Sequence, residues 1–345
     1  MSRFLPKART LAPAAALLLT MTLAACSAPP PSMEAASNKE DTSVQQAKRV
    51  MQVTSVHKVT GMTLLEGPTF GPDGNLYLVD VTAPPGAPKV LRVDTTAKTV
   101  STAYTDDRSA LTSAQFNPRN GRLYVTDFLS GAVRSMTADG EDVQEIFVGP
   151  VAGIPMQPDD ISFDAEGNLY ITDATGARSP YWEAKGRLVR IDGTTAEPAV
   201  LADNLESPNG ISFSPDEASL WVSLNTGNRI DHLTLTEGGT AVATAHPAIY
   251  ASAGASQVDS IAVDAEGNLY VGLHNRPAVL VYDVNGQLLK TISMPAEDTA
   301  GLSSATNIAI KPGTTEAYVT VSGSDGGFLY SFKALAKGTR QSNGG

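Results

Sequence analysis

The sequence predicts an all-β protein, a six-bladed β-propeller, because three features agree. One phrase occurs six times between residues 66 and 321: a polar residue, an alternating apolar strand, a turn, and a second strand with an aromatic third residue. Successive copies are 46 to 51 residues apart, and no long window has helical periodicity. Four short strands in each period of this length are typical of propeller blades, so six copies predict six blades. The aromatic residues that mark the copies are Tyr77, Tyr124, Tyr170, Trp221, Tyr270 and Tyr318.

The strands of each blade follow one another along the repeat. Turns containing Asp-Gly, Glu-Gly or similar pairs join the first two strands as a hairpin. A third strand is predicted after most hairpins, for example at residues 89–94 and 278–284, and a weaker fourth follows in most copies. The sixth copy lacks an obvious fourth strand after Phe332, whereas residues 49–59 alternate well enough to supply it. We therefore expect an N-terminal strand to close the ring and leave no open sheet edge.

Composition excludes several classes of function. The 345 residues are 42% hydrophobic, and 25 Lys and Arg against 36 Asp and Glu give a net charge of −11. A chain this acidic lacks the basic face that nucleic acids and anionic lipids require. A single cysteine excludes a disulfide scaffold and a thiolate-rich metal site. We expect a monomeric acidic domain with no nucleic-acid partner.

The N-terminus has the pattern of a targeting segment. Arg3, Lys7 and Arg9 precede an apolar run over residues 11–25, and the run ends at Cys26, the sole cysteine. This resembles the bacterial lipobox, whose cysteine is lipidated and becomes the first mature residue. The alternatives are an ordinary signal peptide or an uncleaved anchor.

The lipobox resemblance implies a division of the chain into three parts. Residues 1–25 are the lipoprotein signal peptide, residues 26–47 a flexible tether rich in Pro, Ala and Ser, and residues 48–345 the propeller. Lipidated Cys26 would be the only membrane contact, and the protein would be anchored in the bacterial cell envelope. Ser27 favours the periplasmic face of the outer membrane over the inner membrane.

Six polar residues open the six copies, and the innermost strands that they begin crowd around the propeller axis at one mouth. Three of them are carboxylates, which would repel one another unless they were protonated or neutralised. A divalent cation neutralises them most simply, and oxygen-only donors favour Ca²⁺, or Mg²⁺ or Mn²⁺, over Zn²⁺. The alternative is a hydrated channel entrance in which these residues bind only water. The openers are Glu66, Ser113, Asp159, Asn209, Asp259 and Thr306.

Three segments carry a family resemblance that runs from about residue 55 to residue 338. Glu66-Gly67-Pro68, Pro208-Asn209-Gly210 and Val258-Asp259-Ser260-Ile261 resemble the metal-binding motifs of the senescence-marker-protein/gluconolactonase/luciferin-regenerating-enzyme family. Members are six-bladed propellers with a central divalent cation, usually Ca²⁺, that hydrolyse lactones or related esters. The resemblance implies that Glu66, Asn209 and Asp259 are direct metal ligands.

The third copy departs from the commoner family pattern. Many members have Asn-Asp-Gly where this chain has Asp159-Asp160-Ile161. Asp159, and Ser260 after Asp259, are more similar to the drug-responsive lactonase branch, which adds Asp159 and Ser260 to the candidate metal-site residues. The departure weakens the case for a sugar lactone as substrate.

The resemblance and the charges together imply a metal-dependent hydrolase of lactones or esters. The cation would polarise the carbonyl, and Asp159 would act as the general base or as a further ligand, two roles that stay open. The alternative is a non-catalytic envelope propeller that binds a ligand or a protein partner around a structural Ca²⁺. The sequence has no Gly-x-Ser-x-Gly elbow, phosphate loop or dinucleotide fingerprint. The candidate pocket residues are Ser113, Met156, Tyr181, Trp182, His274 and Thr306.

Overall fold

Strands make up almost all of the regular structure in the computed structural model, which describes residues 43–177, 179, 180 and 183–340. Within these residues there is no α-helix, and two short 3₁₀ helices span Glu237–Gly239 and Thr299–Gly301. None of the described helices is long and apolar enough to cross a bilayer. The predicted all-β class is therefore confirmed. The predictions for the signal peptide and Cys26 lie outside the described residues.

Four antiparallel sheets contain four consecutive strands each, as the repeat predicts. Sheet 1 contains β3 (Leu65–Phe70), β4 (Leu76–Asp80), β5 (Pro88–Asp94) and β6 (Thr99–Thr105). Sheet 2 contains β7 (Leu111–Phe116), β8 (Leu123–Asp127), β9 (Ala132–Met136) and β10 (Gln144–Val148). Sheet 3 contains β11 (Pro158–Phe163), β12 (Leu169–Asp173), β13 (Gly186–Ile191) and β14 (Pro198–Leu205). Sheet 4 contains β15 (Pro208–Phe213), β16 (Ser219–Leu224), β17 (Arg229–Leu235) and β18 (Val242–Tyr250).

The remaining strands form a nine-stranded sheet that consists of two groups joined by the pairing of Leu273 with Ala305. The first group, which we call sheet 5, contains β19 (Gln257–Val263), β20 (Leu269–His274), β21 (Ala278–Tyr282) and β22 (Leu288–Ser293). The second group, sheet 6, contains β23 (Ser304–Ile310), β24 (Glu316–Gly323) and β25 (Gly326–Lys333).

Two N-terminal strands add to these groups. The strand β2 (Lys48–Thr54) pairs antiparallel with β25, and β1 (Ser43–Gln46) pairs parallel with β22. The sequence assigned residues 43–46 to the tether, so regular pairing begins earlier than expected. A tether composition does not prevent pairing where the outer edge of β22 offers unpaired backbone groups.

Neighbouring sheets pack through the aromatic residue of most second strands, whereas the ring of Trp221 contacts His232 of its own sheet. Tyr124 contacts Phe163 of the next sheet edge to face, with ring centroids 5.1 Å apart. The pairs from sheet 1 to sheet 2 and from sheet 3 to sheet 4 have nearly the same geometry. Tyr318 of sheet 6 contacts Phe70 of sheet 1 at 5.8 Å. Edge-to-face contacts bury large apolar rings at a favourable orientation, which accounts for the aromatic position in the repeat.

Each first strand contains a β-bulge near its beginning. Between Pro158 and Ile161, for example, the strand has three steps where its partner, from Asp173 to Ile171, has two. A bulge inserts one unpaired residue and turns adjacent side chains out of strict alternation. The opener and the residue after it can therefore both leave the plane of the sheet. Equivalent bulges occur in the other first strands, β3, β7, β15, β19 and β23.

Candidate active site

A cavity of about 330 Å³ lies where the first strands begin. Four of the six openers line it: Glu66, Asp159, Asn209 and Asp259. They come from sheets 1, 3, 4 and 5, so residues up to 193 positions apart in the chain meet at one place. His274, at the end of β20, also lines the cavity.

A larger groove of about 470 Å³ lies elsewhere, beside β2 and the sheet 1 strands. Among the described residues that line it, the only carboxylate is Asp80, whose Oδ2 lies 2.7 Å from His57 Nε2. The clustered carboxylates distinguish the cavity at the openers from this groove.

Two glycines allow the first strands to approach one another closely at the openers. A Cβ on Gly210 would lie 2.6 Å from the amide nitrogen of Ile261, and a Cβ on Gly67 would lie 2.4 Å from that of Ala114. These distances are far below van der Waals contact, so any side chain would push neighbouring sheets apart. The glycine after Glu66 and after Asn209 thus has a packing reason in this chain.

Hydrogen bonds connect the acidic residues of the cavity. Asn209 Nδ2 donates to Asp159 Oδ2 at 3.1 Å, and Ser260 Oγ donates to Asn209 Oδ1 at 3.3 Å. Asn307 Nδ2 donates to Ser260 Oγ at 2.9 Å and to Glu66 Oε2 at 3.4 Å. A continuous chain of polar contacts therefore runs from Asp159 to Glu66.

Burial gives the carboxyls unusual protonation behaviour. It raises the pKa of Asp159 to about 7, and burial together with the charge of Asp159 raises the pKa of Asp259 to about 8. The pKa of Glu66 lies well above its usual value because of burial and then the charges of Asp259, Asp160 and Asp159. Burial and the Asp159 charge likewise raise the pKa of Asp160. These groups disfavour their ionised forms until a positive charge compensates them.

The donor chemistry fits a hard divalent cation. Carboxylate and amide oxygens are the ligands that Ca²⁺ and Mg²⁺ prefer, and the cavity lining offers them from three carboxyls and three amides. The buried Oδ2 of Asp160 has no hydrogen-bond partner in the described part of the chain. Among residues 43–177, 179, 180 and 183–340, no group of three or more His, Cys, Asp or Glu is arranged to hold a metal ion. The fit is therefore one of ligand type and charge.

Three predicted pocket residues lie away from the cavity. Ser113 and Thr306 are fully buried, and Thr306 Oγ1 donates to the carbonyl of Leu65 at 2.7 Å. In sheet 2 the bulge falls one residue earlier, between Leu111 and Ser113, so Thr112 lines the cavity instead. Met156 is buried in the apolar cluster between sheets 2 and 3.

The other predicted site residues divide into two groups. Ser260 is buried beneath the cavity and contacts it through Asn209. Tyr181 and Trp182 lie outside the described residues. The flanking Ala174 and Ala177 do line the cavity.

Sequence reasoning missed the polar residue that directly follows an opener in two copies. Asp160 and Asn307 are both fully buried next to the site and interact with its acidic groups. A strand pattern of period two assigns these positions to the opposite face from the openers. Their polarity was the available signal, because the same position is a glycine in two other copies and an alanine in a third.

The fold and the cavity define a class: an all-β protein consistent with the β-propeller lactonases, with an acidic cavity where its first strands begin. The family model described as the SMP-30/gluconolactonase/LRE-like region matches residues 64–323, and the chain belongs to this family. The family membership expected from the sequence is therefore confirmed.

Individual relatives agree with this assignment. Lactonase drp35 of Staphylococcus haemolyticus is 31% identical over 286 residues, which cover 79% of this chain and 84% of that protein. A gluconolactonase from Xanthomonas campestris superposes with a TM-score of 0.65 at 23% identity, covering 84% of this chain and 98% of that one. The calcium-binding protein regucalcin from Agrobacterium tumefaciens superposes with a TM-score of 0.68 at 14% identity, covering 87% and 99%. At these identities the two structures establish the shared fold alone.

Proposed function

We propose that this protein is a divalent-cation-dependent hydrolase of lactones or related esters, with Ca²⁺ as the expected cation. The observation that carries the proposal is the convergence of Glu66, Asp159, Asn209 and Asp259 on one cavity in a chain of a lactonase family. The similarity to the drp35 lactonase favours hydrolysis, and the calcium binding named for regucalcin favours the ion.

The architecture that supports this site is a six-bladed ring whose last blade is completed by β2. Three findings favour it: four sheets of four strands, the antiparallel pairing of β2 with β25, and the contact of Tyr318 with Phe70 between sheets 6 and 1. In such a ring all openers face one mouth, which would explain why distant residues share a cavity.

Glu66, Asn209 and Asp259 would hold the cation, with Asp159 beside them. When bound, the cation would polarise the lactone carbonyl and stabilise the negative charge that develops on its oxygen. The protein's own contribution is a set of carboxyls whose burial and mutual repulsion disfavour any state without a positive charge among them. Binding a cation would relieve this repulsion.

Asp159 is the candidate for accepting the proton of the attacking water. Burial raises its pKa to about 7 in the metal-free protein, and a cation bound beside it would favour the ionised form that can accept a proton. Asn209 holds the carboxyl in place through its 3.1 Å hydrogen bond. The other role for Asp159 is direct ligation, which predicts a loss of calcium affinity when the carboxyl is replaced.

The substrate would place its apolar part on the other wall of the cavity. Leu64, Val81, Phe128 and three alanines line the cavity as well. An apolar wall favours lactones with hydrocarbon or aromatic substituents over polyhydroxylated sugar rings, which would leave hydroxyls without partners. It also excludes water from the reacting carbonyl.

The decisive experiment is a calcium-dependence assay on the purified protein. The protein is treated with EDTA and tested on a panel of aliphatic, aromatic and sugar lactones before and after Ca²⁺ is restored. Hydrolysis that chelation abolishes and calcium restores, stronger on apolar lactones, supports the proposal. Tight calcium binding without turnover on any lactone would favour the non-catalytic propeller.

We also propose a lipid anchor at Cys26 in the bacterial envelope, with the outer membrane favoured. The proposal rests on the residues before Cys26 and on Ser27. Fractionation and mass spectrometry of the mature protein would test it, because lipidation adds the mass of acyl chains to the N-terminal cysteine. Cys26→Ser should leave an unmodified precursor with an intact leader.

A further inference from the structure

One position of the repeat carries a hydroxyl in four sheets and none in the other two. It lies two residues after the aromatic residue of each second strand. Its occupants, in chain order, are Val79, Thr126, Thr172, Ser223, Gly272 and Thr320.

The hydroxyls of sheets 3 and 4 each connect two sheets. Thr172 Oγ1 accepts a hydrogen bond from the amide of Asp160 in its own sheet at 3.0 Å and donates to the carbonyl of Asn209 in the next. Ser223 Oγ accepts from the amide of Gly210 at 2.7 Å and donates to the carbonyl of Asp259 at 2.6 Å. Each hydroxyl thus binds the bulge of one first strand to the opener of the next.

Sheets 2 and 6 make the same connection with the help of a second threonine. Thr126 Oγ1 donates to the carbonyl of Asp159 at 2.8 Å and lies 3.0 Å from Thr112 Oγ1. In sheet 6, Thr320 Oγ1 lies 3.0 Å from Thr306 Oγ1, which donates to the carbonyl immediately before Glu66. For all four openers proposed for the cation site, a hydroxyl of the preceding sheet therefore donates to the carbonyl of the opener or of the residue immediately before it.

The two sheets without the hydroxyl precede the two openers that are absent from the cavity. Sheet 1, which has Val79 at this position, precedes sheet 2 with its opener Ser113. Sheet 5, which has Gly272, precedes sheet 6 with its opener Thr306. At Gly272 the neighbouring backbone takes the space of the side chain, since a Cβ there would lie 2.1 Å from the carbonyl oxygen of Thr306. The hydroxyl is thus not needed for sheets to pack side by side.

We infer that Thr126, Thr172, Ser223 and Thr320 are positioning residues that hold the openers at the spacing the cation requires. The inference rests on the proposed function, because the role it gives to these four residues is to position the ligands of the proposed cation. A buried hydroxyl that accepts from one strand and donates to the next fixes both backbones, and backbone position determines where the opener's side chain reaches. Substitution of residues that hydrogen-bond to metal ligands typically lowers metal affinity by about 10-fold to 100-fold.

The test measures calcium affinity and thermal stability on the full chain. Thr172→Val and Ser223→Ala remove the hydroxyls, and Thr172→Ser and Ser223→Thr retain them. The control is Ser212→Ala, because Ser212 lies on the same strand as Asn209 and its buried hydroxyl has no partner within the described residues. Metal-free protein is titrated with Ca²⁺ by calorimetry well below its melting temperature, and the Tm is measured with and without Ca²⁺.

We expect calcium affinity to fall about 10-fold in Thr172→Val and in Ser223→Ala, and the rise in Tm on adding Ca²⁺ to shrink. The hydroxyl-retaining variants should restore both, and Ser212→Ala should change neither. A merely structural role would lower the Tm with and without Ca²⁺ equally and leave the affinity unchanged.

Wild-type calcium affinity in both Thr172→Val and Ser223→Ala would overturn the inference and leave the proposed function standing. Should Thr172→Val fail to fold, Ser223→Ala, which removes a single oxygen atom, carries the test alone. A wild-type protein that binds no calcium in the same titration would overturn both proposals.

Discussion

Asn209 Nδ2 donates a hydrogen bond to Asp159 Oδ2 at 3.1 Å, which connects the openers of two neighbouring sheets across the cavity. The bond uses the amide nitrogen, while the amide oxygen accepts from Ser260. Asn209 therefore orients Asp159 directly, and Ser260 in turn orients Asn209. This geometry makes the role of Asp159 separable from those of its neighbours by substitution.

Asp159→Asn should separate the two possible roles of this residue. An amide cannot accept the proton of the attacking water, so loss of a general base should lower kcat by about 10²-fold to 10⁴-fold. An amide can still donate an oxygen to Ca²⁺, so affinity should fall only moderately. Steady-state kinetics and calcium calorimetry on the same preparation measure both effects.

Two results would reassign Asp159. Unchanged turnover would remove it as the base. A collapse of calcium affinity, with kcat restored at saturating Ca²⁺, would identify it as a ligand instead.

The stability of the metal-free protein should depend on pH through the buried carboxyls. Asp159 and Asp259 have folded-state pKa values of about 7 and about 8, raised above the unfolded value near 4. Their stabilising contribution is therefore complete below about pH 4, declines as pH rises, and is lost above about pH 8. Thermal unfolding in EDTA should show a Tm that falls across the range from about pH 4 to pH 8.

Calcium should flatten this profile, because a cation compensates the ionised carboxylates. Binding should also release protons near neutral pH, which calorimetry in buffers of different ionisation enthalpy can count. A metal-free Tm that stays constant over the same range would contradict the pKa values of this site.

Glu66→Gln should stabilise the metal-free protein against unfolding and weaken its calcium binding. Glu66 is 9% exposed and lies among three other carboxyls, so its ionised form has no compensating charge without a cation. The amide removes that charge, and Tm in EDTA should rise, most clearly above pH 8. The same change removes a charged ligand, so we expect calcium affinity to fall by more than about 10-fold.

The matched control for Glu66→Gln is Glu316→Gln, an exposed carboxylate at the start of β24. It should alter neither the metal-free Tm nor the affinity. A Glu66→Gln protein that is less stable in EDTA at high pH would show that the Glu66 charge is already compensated.

Much of the fold could be predicted from periodicity, because hairpin turns and strand alternation are local. The recurring aromatic residue of the second strand identified the repeat. The contact of Tyr124 with Phe163 explains the aromatic residue, because the ring packs against the next sheet. The strand β1 could not be predicted, since its pairing depends on the edge that β22 presents and not on its own polar sequence.

The site was only partly predictable, because the register of the turns locates an opener but not its bulge. Among the six openers, Glu66, Asp159, Asn209 and Asp259 line the cavity. Ser113 does not, because the bulge of its strand falls one residue earlier. The turn register misses this shift, although the strand itself carries a signal for it: Phe116 lies three residues after Ser113, whereas Phe163 lies four residues after Asp159.

Gly210→Ala should damage the site through packing alone. The added Cβ would lie 2.6 Å from the amide nitrogen of Ile261 and 2.7 Å from the Cα of Ser260, so the strands bearing Asn209 and Asp259 must separate. Overpacking of this kind costs about 1–3 kcal/mol of unfolding free energy, and calcium affinity should fall as well because the ligands move apart. Gly227→Ala is the control, since its Cβ would make only ordinary contacts, the nearest at 3.4 Å. Urea unfolding and calcium titration of both variants give the comparison. Equal calcium affinity in the two variants would show that the spacing of the strands carrying Asn209 and Asp259 does not control the site.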